Sequence, residues 1–161
     1  MIKAIFAIDD FNGIGYLGKL PWPKITEDLQ LFKQYTKNQV VVMGRKTWDS
    51  EDMPRPLPSR INAVITNRQL DIPGVITLNG DVIASIQLLQ KNYPEKDVYI
   101  IGGAETLIQT HPIIETVYIS RIQGKYMADT TLCLDNFLKS FSLINETIYD
   151  NFVFLEFVKD A

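Results

Sequence analysis

Apolar residues along the chain gather in eight short runs, mostly β-branched or aromatic, each ending at turn residues. They predict strands over Ile2–Ile8, Val40–Met43, Ile61–Thr66, Val75–Leu78, Val98–Ile101, Thr116–Ile122, Ser142–Tyr149 and Phe152–Val158. Val40-Val41-Val42-Met43 and Val98-Tyr99-Ile100-Ile101 lack any alternation, which predicts strands covered on both faces. Asp150 and Asn151 separate the last two runs and predict a hairpin. A helical pattern covers Thr26–Thr36, and another covers Asp81–Asn92, with Val82, Ile83, Ile86 and Leu89 on one stripe. Two shorter helices are expected after Gly44 and after Gly103. Strands alternating with helices, followed by strands alone, predict one α/β domain over residues 1–161. Its sheet would be mostly parallel with an antiparallel edge. Ligands of such sheets lie beyond the carboxyl ends of the strands.

Composition narrows the function. The net charge of -3 argues against nucleic acid as a partner, because phosphate binding needs clustered cations. One cysteine, Cys133, and one histidine, His111, exclude an intrachain disulfide and leave little for a metal site, so none is expected. The first apolar run is too short to span a membrane and meets Asp9 and Asp10 at once. It lacks the flanks of a signal peptide, and a cytoplasmic protein is expected.

Two motifs mislead. Gly13-Ile-Gly15-Tyr-Leu-Gly18 follows the first strand and matches the dinucleotide fingerprint, but that motif must open a helix. Pro21 and Pro23 forbid one here, and no acidic residue stands about twenty positions on. The glycines are expected instead in a mobile loop ending in Leu20-Pro21-Trp22-Pro23. Gly44-Arg45-Lys46-Thr47 resembles the end of an ATPase phosphate loop but lacks its upstream glycine. A strand-to-helix turn with cations can still hold phosphate, or it can be a solvated basic turn.

A helical wheel started at Ile25 puts Leu29, Phe32, Tyr35 and Leu31 on one arc, with Thr26 as the expected N-cap. Asp28 falls inside that arc. A carboxylate facing a core is costly unless paired. Asp28 therefore meets an internal cation, awaits a ligand with donors, or leans to solvent in the first turn of the helix.

Five fragments then stand in register. Leu20-Pro21-Trp22, Asp28-Leu29-x-x-Phe32-Lys33, Val42-Met43-Gly44-Arg45-Lys46-Thr47-Trp48, Arg55-Pro56-Leu57-Pro58-x-Arg60 and Ile100-Ile101-Gly102-Gly103, with Asp129-Thr130 beyond them, resemble dihydrofolate reductase in order, spacing and total length. That resemblance implies an eight-stranded mixed sheet flanked by about four helices. It implies hydride transfer from NADPH to C6 of 7,8-dihydrofolate, a proton going to N5. The sequence itself does not give the oligomeric state, and a monomer is the default expectation. Asp28 would hold the pterin, with Trp22 placing a water, the loop around Leu20 controlling access, and Ser120 bonded to the carboxylate. Ile5, Ala7, Leu29, Phe32, Leu57 and Ile101 would wall the substrate, and Arg60 would clamp its glutamate. Ala7, Ile14, Gly15, Ile101, Gly102, Gly103, Ala104, Glu105 and Thr106 would border the cofactor, with a cis peptide between the two glycines. Gly44, Arg45, Lys46 and Thr47 lie on the matching cofactor loop. Thr66, Asn67 and Arg68 would meet the 2′-phosphate that distinguishes NADPH from NADH.

The chain also departs from that pattern. Leu107 replaces a tyrosine usual near the nicotinamide, which raises a rival reading as a folate- or nucleotide-binding protein without turnover. A related pterin or pyrimidine reductase is the other rival, and it would lack the set Asp28, Phe32 and Arg60. Glu51–Pro54 is longer than in compact bacterial relatives, which blurs the register of Ser50. Cys133 is expected as a small buried filler.

Overall fold

A computed structural model describes all residues 1–161. The strands are β1 (Ile2–Asp9), β2 (Gly13–Gly15), β3 (Val40–Gly44), β4 (Ile61–Ile65), β5 (Ile76–Leu78), β6 (Val98–Gly102), β7 (Thr116–Ile122), β8 (Thr130–Thr131), β9 (Phe141–Ile148) and β10 (Phe152–Lys159). The helices are α1 (Thr26–Thr36), α2 (Arg45–Trp48), α3 (Val82–Asn92), α4 (Ala104–Thr110) and α5 (Leu134–Phe137), with a 3-10 turn at His111–Ile113.

Eight strands form one sheet in the order β5-β4-β3-β6-β1-β7-β10-β9. β10 alone runs opposite to the other seven strands, pairing antiparallel with both β7 and β9. The chain leaves β1 for β3, β4 and β5, then returns to place β6 between β3 and β1. The carboxyl ends of β1, β3, β6 and β7 thus meet around one crevice, where ligands of open α/β sheets bind.

Alternation along β1 separates two cores. Ile2, Ala4 and Ile8 enter the larger one, with Val82, Ile86 and Leu89 of α3 and Leu107 of α4. Ile5 enters the smaller one, with Trp22, Trp48, Leu57 and the half-buried Phe32 and Tyr35 of α1. The uninterrupted run of β3 supplies both: Val40 and Val42 face one core, Val41 and Met43 the other.

Four expectations are corrected. A fifth helix, α5, closes one turn before β9. The glycine-rich segment is not wholly irregular: β2 pairs antiparallel with β8, because the β-branched Thr130 and Thr131 offer an extended partner. Ile25, not Thr26, is the N-cap of α1; it is extended, makes no side-chain cap, and its carbonyl takes the first helical bond from the Leu29 N–H at 3.2 Å. Cys133 is exposed rather than buried, since it stands at the N-cap of α5 outside the larger core, while Leu132 before it fills that core.

Candidate active site

The chain buries two carboxylates, Asp9 and Asp28, and they are satisfied in opposite ways. Asp9 is 2 % exposed and accepts three backbone N–H bonds, from Phe11 and Gly13 at 2.8 Å each and from Tyr126 at 3.1 Å. Asp28 is 9 % exposed, and the Ser120 hydroxyl is the side-chain donor beside it. Burial raises the Asp28 carboxyl above its ordinary value, and the neighbouring Ser120 hydroxyl offsets part of that rise. The first turn of α1 presents Asp28 toward β7, where Ser120 lies on the face of the smaller core, in register with Ala7 of β1. No cation reaches Asp28, so the internal ion pair left open by the helical wheel is absent.

Around it the smaller core is unfinished. Leu29, on the expected apolar arc, is 39 % exposed, and Phe32 is only half-buried. An apolar helix face left partly open beside a buried carboxylate makes one wall of a cleft. Ile5, Ala7, Leu57 and Ile101 lie on the same side of the sheet. Trp22 is buried there and meets Tyr126 edge to face, with ring centroids 6.1 Å apart. Leu20 precedes it on the exposed loop, whose Lys19 bridges to Glu51 at 2.9 Å across the longer segment after α2.

At the far end of α1 stands Arg60. Its Nε donates to the Pro58 carbonyl at 2.8 Å and its Nη1 to Thr36 Oγ1 at 3.2 Å. The guanidinium lies 6.0 Å from the Phe32 ring centroid. Thr36 is fully buried and donates in turn to the Phe32 carbonyl at 2.7 Å. Asn62 fixes the preceding loop: it accepts from the Leu57 N–H at 2.9 Å and donates to the Leu57 and Arg60 carbonyls at 3.0 and 3.1 Å. Thr36 and Asn62 were not singled out from sequence. Thr36 could have been, since Asp28, Phe32 and Thr36 follow one another at four-residue steps along one side of α1.

A second region lies beyond β3 and β4. Arg45 donates from Nε to Asp49 Oδ2 at 3.0 Å and from Nη1 to Thr66 Oγ1 at 3.2 Å. Thr66 Oγ1 also accepts from the Arg68 N–H at 3.2 Å. Both arginines therefore flank one open pocket of about 450 Å³, lined also by Asp49, Ile65 and Asn67. Glycine is required between the two regions. A Cβ on Gly44 would stand 2.5 Å from Thr106 Oγ1, and Gly102 has φ +130. The Gly102-Gly103 peptide is cis, and Thr47 Oγ1 lies against both glycines. Ala104, Glu105 and Thr106 form the first turn of α4 beside them, with Thr106 buried and Glu105 exposed. Lys46 is exposed at the turn. A glycine-lined groove ending in two cations suits a dinucleotide that carries an additional phosphate.

Ile14 packs against the larger core while Gly15 is paired to Thr130 in the small sheet. Leu107 is fully buried in the larger core.

Comparison with known proteins agrees with this architecture. The family model for dihydrofolate reductase matches residues 1–152. The chain is 35 % identical to the dihydrofolate reductase of Mycoplasma pneumoniae over 156 residues, covering 94 % of each protein. It is 32 % identical to that of Lactococcus lactis over 153 residues, covering 93 % of this chain and 88 % of the relative. Among solved structures it superposes on dihydrofolate reductase from Enterococcus faecalis, complexed with NADP(H) and RAB-propyl, with a TM-score of 0.82. That likeness covers 100 % of this chain and 97 % of the other, at 22 % identity.

Proposed function

The chain belongs to the dihydrofolate reductase family and reduces dihydrofolate to tetrahydrofolate with NADPH, and from that premise we propose which of its residues carry the reaction. NADPH, when bound, supplies the hydride, which would go to C6 of the pterin while N5 takes a proton.

Asp28 carries this reading. It is the one buried carboxylate without backbone donors, and Ser120 offsets only part of its burial, so full compensation comes when a ligand brings N–H groups. The pterin 2-amino group and N3 are such donors, and a charge-assisted pair in an apolar cleft orients the ring. Ser120 holds the carboxylate from behind. Ile5, Ala7, Leu29, Phe32, Leu57 and Ile101 wall the bound rings, and Arg60 takes the glutamate. Trp22 holds a water beside Asp28, and Leu20 limits further water. Arg45, Thr66, Asn67 and Arg68 take the 2′-phosphate. Gly44, Lys46, Thr47, Gly102, Gly103, Ala104, Glu105 and Thr106 take the pyrophosphate side, with Ile14 and Gly15 over the nicotinamide end.

The family match and the relatives that share it favour turnover over the rival reading raised by Leu107. We propose a monomer working in the cytoplasm, in keeping with a lone cysteine and an acidic charge balance. No helix is long and apolar enough to cross a membrane.

The test is loss of reduced-nicotinamide absorbance with NADPH and dihydrofolate, run beside NADH and beside a blank lacking dihydrofolate. Fast loss with NADPH alone among the three supports the assignment. Equal rates with NADH would remove the role given to Arg45 and Arg68. An Asp28→Asn variant with wild-type turnover at neutral pH would remove that given to Asp28.

A further inference from the structure

We propose that Asp9 is a positioning residue that sets the lid around Leu20, and the adjoining Trp22, for the hydride step; the proposal rests on the roles given to those two residues above. Asp9 ends β1, and its two oxygens divide their work. Oδ1 accepts from Phe11 and Gly13, the residues that lead into β2 and the lid. Oδ2 accepts from Tyr126, on the segment that leads into β8. The two segments meet again farther out: the Asp129 N–H donates to the Gly15 carbonyl at 3.0 Å, and Asp129 Oδ2 accepts from the Leu17 N–H at 3.0 Å. The Tyr126 ring stands edge to face against Trp22. One buried carboxylate thus ties β1, the root of the lid and the loop that backs Trp22.

The joint has no slack. A Cβ on Gly13 would lie 2.9 Å from Asp9 Oδ2 and 2.9 Å from Ala128 Cβ. Asp10 beside it bonds the Gly124 N–H of the same loop at 2.8 Å and Arg121 Nε of β7 at 3.1 Å, but in solvent, where such pairs hold little. Asp9 works in a buried site, where charge-assisted bonds are strong and a stranded N–H is costly. Three amide donors need acceptors on both oxygens. Asparagine has one acceptor oxygen, and its NH₂ would meet the Tyr126 N–H donor to donor. Asp9→Asn therefore keeps the bonds to Phe11 and Gly13 and breaks the tie to Tyr126.

The experiment compares wild type, Asp9→Asn, Gly13→Ala and Leu20→Gly, each bound to NADPH. Single-turnover hydride transfer is followed with NADPH and its 4-deuterated form, and amide exchange is read by peptide. For Asp9→Asn the hydride step should slow about tenfold, since small misplacements near a reacting centre carry such penalties. The isotope effect on kcat should rise while KM for dihydrofolate stays within about twofold, the pattern of a lost transition-state arrangement. Exchange should quicken in residues 11–20 and 124–131 and not in β3 or β6. Gly13→Ala opens the same joint without altering Asp9 and should shift the same readouts, which keeps the test decisive if Asp9→Asn fails to fold. A folded Asp9→Asn or Gly13→Ala with wild-type hydride rate and lid exchange overturns the proposal, and so does exchange that quickens throughout the chain. If Leu20→Gly slows hydride transfer while the other two do not, the lid role stands and Asp9 has none. If Leu20→Gly is also silent, the lid role itself falls.

Discussion

Removal of the Arg60 side chain should weaken dihydrofolate by an amount the structure lets one work out. A guanidinium carries five N–H donors. Two are committed within the protein, one to the Pro58 carbonyl and one to Thr36 Oγ1, which leaves three and holds the fork in one orientation. A carboxylate takes two of those three side by side. Hydrogen bonds to charged groups are worth about 1.5–3 kcal/mol each, and the half-buried setting of Arg60 puts them near the lower bound. The pair then contributes about 3 kcal/mol, roughly a hundredfold in affinity at about 1.4 kcal/mol per decade. Because this end of the substrate lies away from the reacting atoms, Arg60→Ala should raise KM about a hundredfold and leave kcat within about threefold. The control is dihydropteroate, which lacks the glutamate. Steady-state kinetics on both substrates separate grip from packing, since Arg60 also lies over Phe32. Arg60→Ala and wild type should handle dihydropteroate alike within about twofold, and Arg60→Lys should recover only part of the loss, having charge without the fork. An equal rise in KM for both substrates would refute the reasoning and make Arg60 a support for α1 instead of a ligand to the glutamate.

Three further predictions concern the other half of the cleft and its two supports. Burial raises the Asp28 carboxyl, so its contribution to stability is full when it is protonated, below the ordinary carboxylate range, and is lost as pH rises through the raised folded value. Asp28→Asn should thus raise the Tm of the ligand-free protein at neutral pH and change it little in acid, while turnover at neutral pH falls at least about a hundredfold and partly recovers in acid, read by thermal unfolding and kinetics across pH. Arg45→Ala should raise KM for NADPH by about ten- to a hundredfold, one charge-assisted contact, and leave the weaker use of NADH unchanged, measured by varying each cofactor at saturating dihydrofolate. Leu107→Tyr should not restore a hydroxyl to the nicotinamide; overpacking a fully buried core position should destabilise the protein by about 1–3 kcal/mol, measured by urea unfolding, with the single-turnover hydride rate of the folded fraction unchanged.

The sheet was legible because most of its strands are covered on both faces. Uninterrupted apolar runs such as Val98-Tyr99-Ile100-Ile101 have few other uses in a chain this short, and every run expected as a strand is one, with ends displaced by a residue or so. The small β2–β8 sheet was not legible. Its pairing joins Gly13 and Gly15 to residues more than a hundred positions away, and nothing local to either segment signals the other. Thr26 failed as a cap for a similar reason: propensity favours a threonine there, but the chain from Trp22 settles where α1 begins, one residue earlier. Cys133 reads as a buried filler in the sequence, yet its place at the N-cap of α5 leaves it exposed.

Asp9 and Asp28 mark the border between what a sequence can and cannot disclose about a site. Asp28 lies on a helix, where the period of 3.6 assigns it a face, and an anion on an apolar face is a conflict visible in the order of residues alone. The conflict is real in the folded protein, since burial raises the carboxyl and Ser120 relieves only part of it. Asp9 is the more deeply buried of the two, yet it produces no conflict, because backbone amides of residues 11, 13 and 126 compensate it. Backbone amides are present whatever the side chain, so no pattern of residue types could announce them. A buried charge that is satisfied by the backbone holds the architecture, and one that is left unsatisfied waits for a ligand. The same burial therefore assigns opposite roles, and the donor count around each carboxylate, not its exposure, is what tells the lid's anchor from the pterin's partner.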